Sequence, residues 1–251
     1  MANIELKSKE EIAKIRVACH AAADILESLK TFIKPGLTTK DIDVEVNKRI
    51  SSFKMKPAFL GYGGFPGSAC VSINDELVHG IPNASREIFS GDIVTVDIGC
   101  IYQGYYSDVA YTYPVGKVDK ETQKLLQVTE NSLYKAIEQV KPGNRLGDVS
   151  YAVQNYVELF GYSVVRDYCG HGLGRSLHEE PSVPNYGKPG TGPRLLPGMV
   201  FAIEPMVNIG TYKVDTLSNK WTVVTRDGSM CAHFEHTVAV TETGCEILTR
   251  M

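Results

Sequence analysis

From residue 12 the chain carries apolar side chains at steps of three and four: Ile12, Ile15, Cys19, Ala22, Leu26 and Leu29. That stripe predicts an amphipathic helix. Ser8 and Glu11 have the spacing of a capping box, which starts the helix near residue 9. Lys34-Pro35-Gly36 ends it. A second helix is expected from about Thr39, turning Ile42, Val46, Ile50 and Phe53 inward. Beyond Pro57 the pattern changes to a glycine-rich loop (Gly61, Gly63, Gly64, Gly67) and then to β-like runs at 69–73, 93–98 and 105–113.

The pattern then restarts. Leu126, Thr129, Leu133, Ile137 and Val140 form another helical stripe, closed by Lys141-Pro142-Gly143, a second copy of Lys34-Pro35-Gly36. The spacing between those two stops also takes Asp41 to Asp148, Gly63 to Gly170, Gly67 to Gly174, and the run ending in Asp97 to the run ending in Glu204. Two related halves, about 8–115 and 116–249, are expected to pack as one domain spanning 1–251, since no low-complexity linker separates them.

Composition is that of an ordinary globular chain, with 43% hydrophobic and 22% charged residues, which excludes a disordered or fibrous protein. The net charge of −3 argues against a surface built to read nucleic acid directly. No apolar run approaches the ~18 residues that would span a membrane. The N-terminus lacks a basic-then-apolar signal segment, so a cytoplasmic location is expected. Six scattered cysteines with no Cys-x-x-Cys pair read as reduced thiols, which leaves oxygen and imidazole as the material for any metal site.

Duplicated halves commonly meet about a pseudo-twofold axis, so equivalent residues face one another. Asp97 and Glu204 are then facing acids at the ends of apolar strands. Glycines at 99 and 104 let the chain reverse after Asp97, so a hairpin brings Asp108 beside it. In the second half, 209–230 reads as an inserted loop, and an insertion of about that length beyond the repeat aligns Glu235 with Asp108. His171 lies in a glycine-rich loop, Gly170-His171-Gly172, whose glycines let the backbone come close and aim the ring. Four buried carboxylates without compensation would be prohibitive. Two divalent ions neutralise them, and an oxygen-rich set with one imidazole suits Mn, Fe, Co or Zn.

These residues carry a resemblance. The stretches Val94-Thr-Val-Asp97-Ile-Gly, Tyr106-Ser-Asp108-Val-Ala, Gly170-His171-Gly-Leu-Gly-Arg-Ser-Leu-His178-Glu-Glu-Pro, Phe201-Ala-Ile-Glu204-Pro and Phe234-Glu235-His-Thr are similar to those of type I methionine aminopeptidases of the bacterial kind. Asn74-Asp-Glu-Leu-Val-His79-Gly-Ile-Pro favours that group over its relatives, and the likeness runs from about residue 6 to 249. It implies an α+β pita-bread fold, a curved antiparallel sheet covered by helices. It implies metal ligation by Asp97, Asp108, His171, Glu204 and Glu235, with Asp108 and Glu235 bridging. It gives His178 the scissile carbonyl, His79 the peptide, and Glu204 the proton transfer. It points to a methionine pocket of Phe59, Tyr62, Phe65, Cys70, Leu177 and Trp221, with Leu177 where bacterial members commonly carry Phe. His20, His233 and His236 receive no role, His236 because strand alternation turns it away from the face of Glu235.

The expected activity is metal-dependent removal of the initiator methionine from nascent chains with a small second residue, by a monomer. The alternatives are an Xaa-Pro aminopeptidase or prolidase, whose usual extra N-terminal domain 251 residues leave no room for, and a metal-free binding module on the same fold. A Cys169–His171 hydrolase is a weaker rival. Lys7, Lys9, Lys14 and Arg16 read as a solvated helix face, with ribosome contact as the alternative.

Overall fold

The computed structural model describes residues 4–250. Helices α1 (Lys9–Phe32) and α2 (Thr39–Ser52) are followed by strands β1 (Lys56–Pro57), β2 (Ala69–Ile73), β3 (Glu76–Val78), β4 (Ile93–Ile98), β5 (Cys100–Tyr102), β6 (Tyr105–Tyr106) and β7 (Val109–Pro114). Next come α3 (Lys120–Ile137), α4 (Leu146–Glu158), β8 (Ser163–Val164), β9 (Gly170–Gly172), β10 (Glu179–Val183) and β11 (Val200–Ile203). The chain continues through β12 (Met206–Asn208), β13 (Val214–Thr216), β14 (Val223–Thr225), β15 (Cys231–His233), β16 (His236–Val240) and β17 (Cys245–Ile247).

The helix starts have local causes. Ser8 and Glu11 cap α1 reciprocally, and Thr38 and Asp41 do the same for α2. At α4 the backbone N–H of Arg145 donates to Asp148 Oδ2 at 2.7 Å, as Thr38 N–H does to Asp41 Oδ2 at 2.8 Å. Other backbone bonds recur at the same spacing in the second half. Thr39 N–H donates to Arg86 O and Leu146 N–H to Pro193 O, both at 3.0 Å. Ile88 N–H donates to Leu37 O at 2.8 Å and Leu195 N–H to Asn144 O at 2.9 Å.

All ladder pairings are antiparallel among the described residues. One sheet has the order β2-β4-β7 and another β10-β9-β11-β16-β17. The apolar stripes of α1 and α2 (Leu26, Leu29, Ile42, Val46, Ile50) close over Val71, Val94 and Val96 of the first sheet. Those of α3 and α4 (Leu125, Leu133, Val149, Val153) close over Phe201, Ile203 and Val238 of the second. Each such side chain contributes about 1.5–3 kcal/mol on burial, and truncating fully buried Leu26 to Ala costs about 2–5 kcal/mol.

Strands expected at 69–73 and 93–98 stand at those bounds. Four local expectations differ. Phe53, at the C-cap of α2, is 42% exposed and not turned inward. The run 105–113 is broken at Ser107-Asp108, because β6 pairs with β5 while β7 pairs with β4. The segment 209–230 is not an irregular loop but carries the hairpin β13–β14, whose second strand pairs with β3. His171 lies in strand β9, not in a loop.

Candidate metal centre

Asp97 lies one residue from the end of β4, with Ala110 of β7 as its ladder partner. Asp108 sits in the break before β7, so it is a diagonal neighbour of Asp97 and not directly opposite. His171 is the middle residue of β9. A Cβ on Gly170 would lie 2.4 Å from Ala202 O, and one on Gly172 would lie 2.2 Å from Glu180 O. Only glycine lets β9 slip between its neighbours, and this close packing fixes His171. Glu204 follows β11 directly, and its carbonyl accepts from Asn185 Nδ2 at 2.8 Å. Glu235 precedes β16, its N–H donating to Ala110 O at 3.0 Å.

These side chains converge. His171 Nε2 is 3.4 Å from Asp108 Oδ2 and 3.7 Å from Glu204 Oε1. One ligand atom each from Asp108, His171 and Glu235 falls within 4.8 Å of the others, and Asp97 and Glu204 line the same cavity. His171 Nδ1 is 3.0 Å from Gly172 O, to which it can only donate. The neutral ring therefore keeps its Nε2 lone pair facing the carboxylates.

The centre is built for cations. Burial first, then the charges of neighbouring acids, pushes Asp97, Glu204 and Glu235 well above the carboxylate range. Burial raises Asp108 to about 7. Asp97 Oδ1, Asp108 Oδ1 and Glu235 Oε1 are buried with no hydrogen-bond partner. Orphaned carboxylate oxygens beside an imidazole lone pair are the donor set of a divalent ion, and the residues fit one.

The cavity above this floor measures ≈ 160 Å³. Phe59, Phe65, Cys70 and Leu177 form its buried apolar side, with Trp221 packed against them. Trp221 arrives on the β13–β14 hairpin and meets Phe65 edge-on at 5.2 Å. His79 stands between Trp221 and Tyr168, with ring centroids at 6.3 and 5.7 Å. Its φ of +57° is a left-handed conformation unusual for a non-glycine residue, of the kind retained at functional sites. The His178 ring lies 4.2 Å from that of His171, and its Nδ1 is 2.7 Å from the Tyr62 hydroxyl. With that hydroxyl donating, Nε2 of His178 bears the proton. Burial holds both His79 and His178 near pKa 4, so both are neutral at physiological pH.

All thirteen residues singled out in the sequence thus line one cavity. Cys70 and Cys169 have thiol pKa values raised by burial, which disfavours a thiolate at either. His236 bonds Thr249 and Tyr134, away from the centre, and His20 is exposed on α1. His233 is different. It is 1% exposed, and its Nε2 lies 3.8 Å from Glu204 Oε2 and 3.9 Å from Glu235 Oε2. Burial depresses its pKa to about 3. The signal was present in the sequence: in extended chain, residues 233 and 235 share a face. Lys7 was also missed as a buried group. Its Nζ is 2.6 Å from Glu179, next to His178, and 2.8 Å from Glu5.

The model of metallopeptidase family M24 matches residues 13–242. Methionine aminopeptidase 1 of Bacillus subtilis is 54% identical over 245 residues, 98% of each chain. The crystal structure of a methionine aminopeptidase from Thermotoga maritima superposes with a TM-score of 0.97 at 50% identity, covering 99% of this chain and 100% of that one. A prolidase from Pyrococcus furiosus is more distant, with a TM-score of 0.79 and 25% identity, and 65% of its chain covered. The fold is the pita-bread fold, and family and cluster together imply use of a divalent metal. From its core strands to the acids that end them, the chain belongs to metallopeptidase family M24, among the bacterial type I methionine aminopeptidases.

Proposed function

We propose that this protein is a dinuclear methionyl aminopeptidase that removes the initiator methionine from nascent proteins with a small second residue. The observation that carries the reading is the junction of two surfaces in one cavity: five acid and imidazole groups with orphaned oxygens, and an aromatic pocket ending in Cys70. Aromatic rings and a thiol suit a flexible thioether.

Asp97, Asp108, His171, Glu204 and Glu235 would hold two divalent ions of the Mn, Fe, Co or Zn kind. When bound, the ions would supply an acidified water as nucleophile and Lewis-acid polarisation of the scissile carbonyl. Glu204 would carry a proton from the attacking water to the leaving amine. The Nε2–H of His178 donates to the carbonyl oxygen as negative charge develops there. His79, fixed by its aromatic neighbours, orients the peptide. Leu177 and Trp221 exclude water around the side chain being bound.

We also read the chain as one catalytic unit of two related halves, 8–115 and 116–249, supported by the backbone bonds that recur at matching positions in each. A cytoplasmic monomer fits this role. The basic residues near the N-terminus give little support to a ribosome contact, since Lys7 pairs with Glu179, Arg16 pairs with Glu246, and Lys14 lies over the Tyr105 ring. A metal-free binding module is disfavoured because all five ligand residues are present. The prolidase alternative is disfavoured by 54% identity to a methionine aminopeptidase against 25% to a prolidase. The test is hydrolysis of Met-Ala-type and Ala-Pro-type peptides by the metal-loaded protein. Cleavage of the first alone is expected; preference for the second would overturn the reading.

A further inference from the structure

The two halves exchange a matched pair of hydrogen bonds at the centre. Thr112 Oγ1 donates to His233 O at 2.7 Å, and Thr237 Oγ1 donates to Asp108 O at 2.7 Å. Exchanging the halves maps Thr112 onto Thr237 and therefore Asp108 onto His233. The strand register agrees. Asp97 faces Ala110, and Ile203 faces His236, so one step further along that ladder Glu204 faces Glu235. With Asp97 on Glu204, the mate of Ala110 is Glu235 and the mate of Asp108 is His233. The sequence alignment that set Glu235 on Asp108 was out by one full turn of the strand alternation, because the inserted segment is shorter than that alignment assumed.

His233 thus holds the position related by pseudo-symmetry to a central acid. Both its ring nitrogens are buried without a partner. Such a group carries a desolvation cost that needs an explanation. Glu204 turns Oε1 toward His171, at 3.7 Å, and Oε2 toward His233, at 3.8 Å. Glu235 likewise turns Oε2 toward His233. We propose that His233 is a positioning residue, whose Nε2–H holds the outer carboxylate oxygens of Glu204 and Glu235 so that their inner oxygens face the metal centre. The separations are about 0.9 Å longer than a typical N–H···O bond, a gap that small carboxylate rotations close. The inference rests on the reading of the site as a divalent-metal centre. Its chemistry is that of an imidazole supporting a ligand, where loss of the partner weakens metal binding about 10–100-fold.

Calorimetric titration of metal-stripped parent, His233→Gln and His233→Leu with Mn(II) tests it, with thermal melts to verify folding. The Leu variant is expected to bind about 10–100-fold more weakly, and the Gln variant, which keeps an N–H donor, close to parent affinity. His233→Met replaces Leu if the latter does not fold. A Leu or Met variant that binds as tightly as the parent overturns the proposal. So does a Gln variant as weak as Leu, since the imidazole itself would then be required. A parent that binds no Mn(II) overturns the metal-centre reading beneath it, a distinct result.

Discussion

At Glu204 an apolar strand ends in a carboxyl that burial and then Asp108 and Asp97 drive toward its protonated form. That shift belongs to the metal-free protein; bound cations reverse it and leave Glu204 the ionised carboxylate that its proposed role as proton acceptor requires. Glu204→Gln should leave the thermal melt little changed and reduce turnover by about 10²–10⁴-fold, measured on protein whose metal content has been verified. Near-normal turnover would remove Glu204 from proton transfer. Individual residues were largely legible because each chemical group came with a local reason to be odd: an acid ending a strand, or a histidine flanked by glycines. Glu235 was placed in the centre, but its partner across the pseudo-axis was misassigned. The same alternation that turned His236 away from Glu235 puts His233 on its side, an inference available from spacing alone.

Elements were legible where local chemistry sets their ends. The caps at Ser8 and Thr38 and the alternating runs of β2 and β4 depend on residues within one turn or one ladder. The β13–β14 hairpin was not, since such short strands leave too few positions for a period to be read and are stabilised by a distant partner, β3. The chain entering α1 likewise depends on a distant partner. Lys7 N–H donates to Gly198 O at 2.8 Å, and its buried ammonium pairs with Glu179 beside His178. Removing one member of a buried pair leaves the other uncompensated. Lys7→Met should therefore cost about 3 kcal/mol of stability by urea denaturation and lower kcat through the His178 loop. Adding Glu179→Gln should recover most of that stability. A double variant as unstable as the single one would mean that the lysine's packing, not its charge, is what matters.

Across the whole molecule, stability and metal binding are linked through protons. Above about pH 7 the imidazoles of the unfolded chain are mostly neutral, and burial keeps His79, His171, His178, His233 and His236 neutral in the folded one. Asp108 at about 7, and Asp97, Glu204 and Glu235 raised well above their usual range, then make the folded metal-free protein bind more protons than the unfolded chain. Its stability is present at lower pH and is lost as pH rises through those values. The melting temperature of stripped protein should fall between about pH 7 and 8, and the increment on adding Mn(II) should grow over the same range; a flat increment would contradict the linkage. Beneath this lies the proposition that the strand-ending acids of the two halves share one pocket because a pair of cations lies between them. Titrating metal-stripped protein with a divalent ion while following cleavage of a Met-Ala peptide tests that directly. Activity should be absent at the start and rise with bound metal, with two ions held per chain at saturation. Full cleavage by folded protein holding no metal would contradict the account.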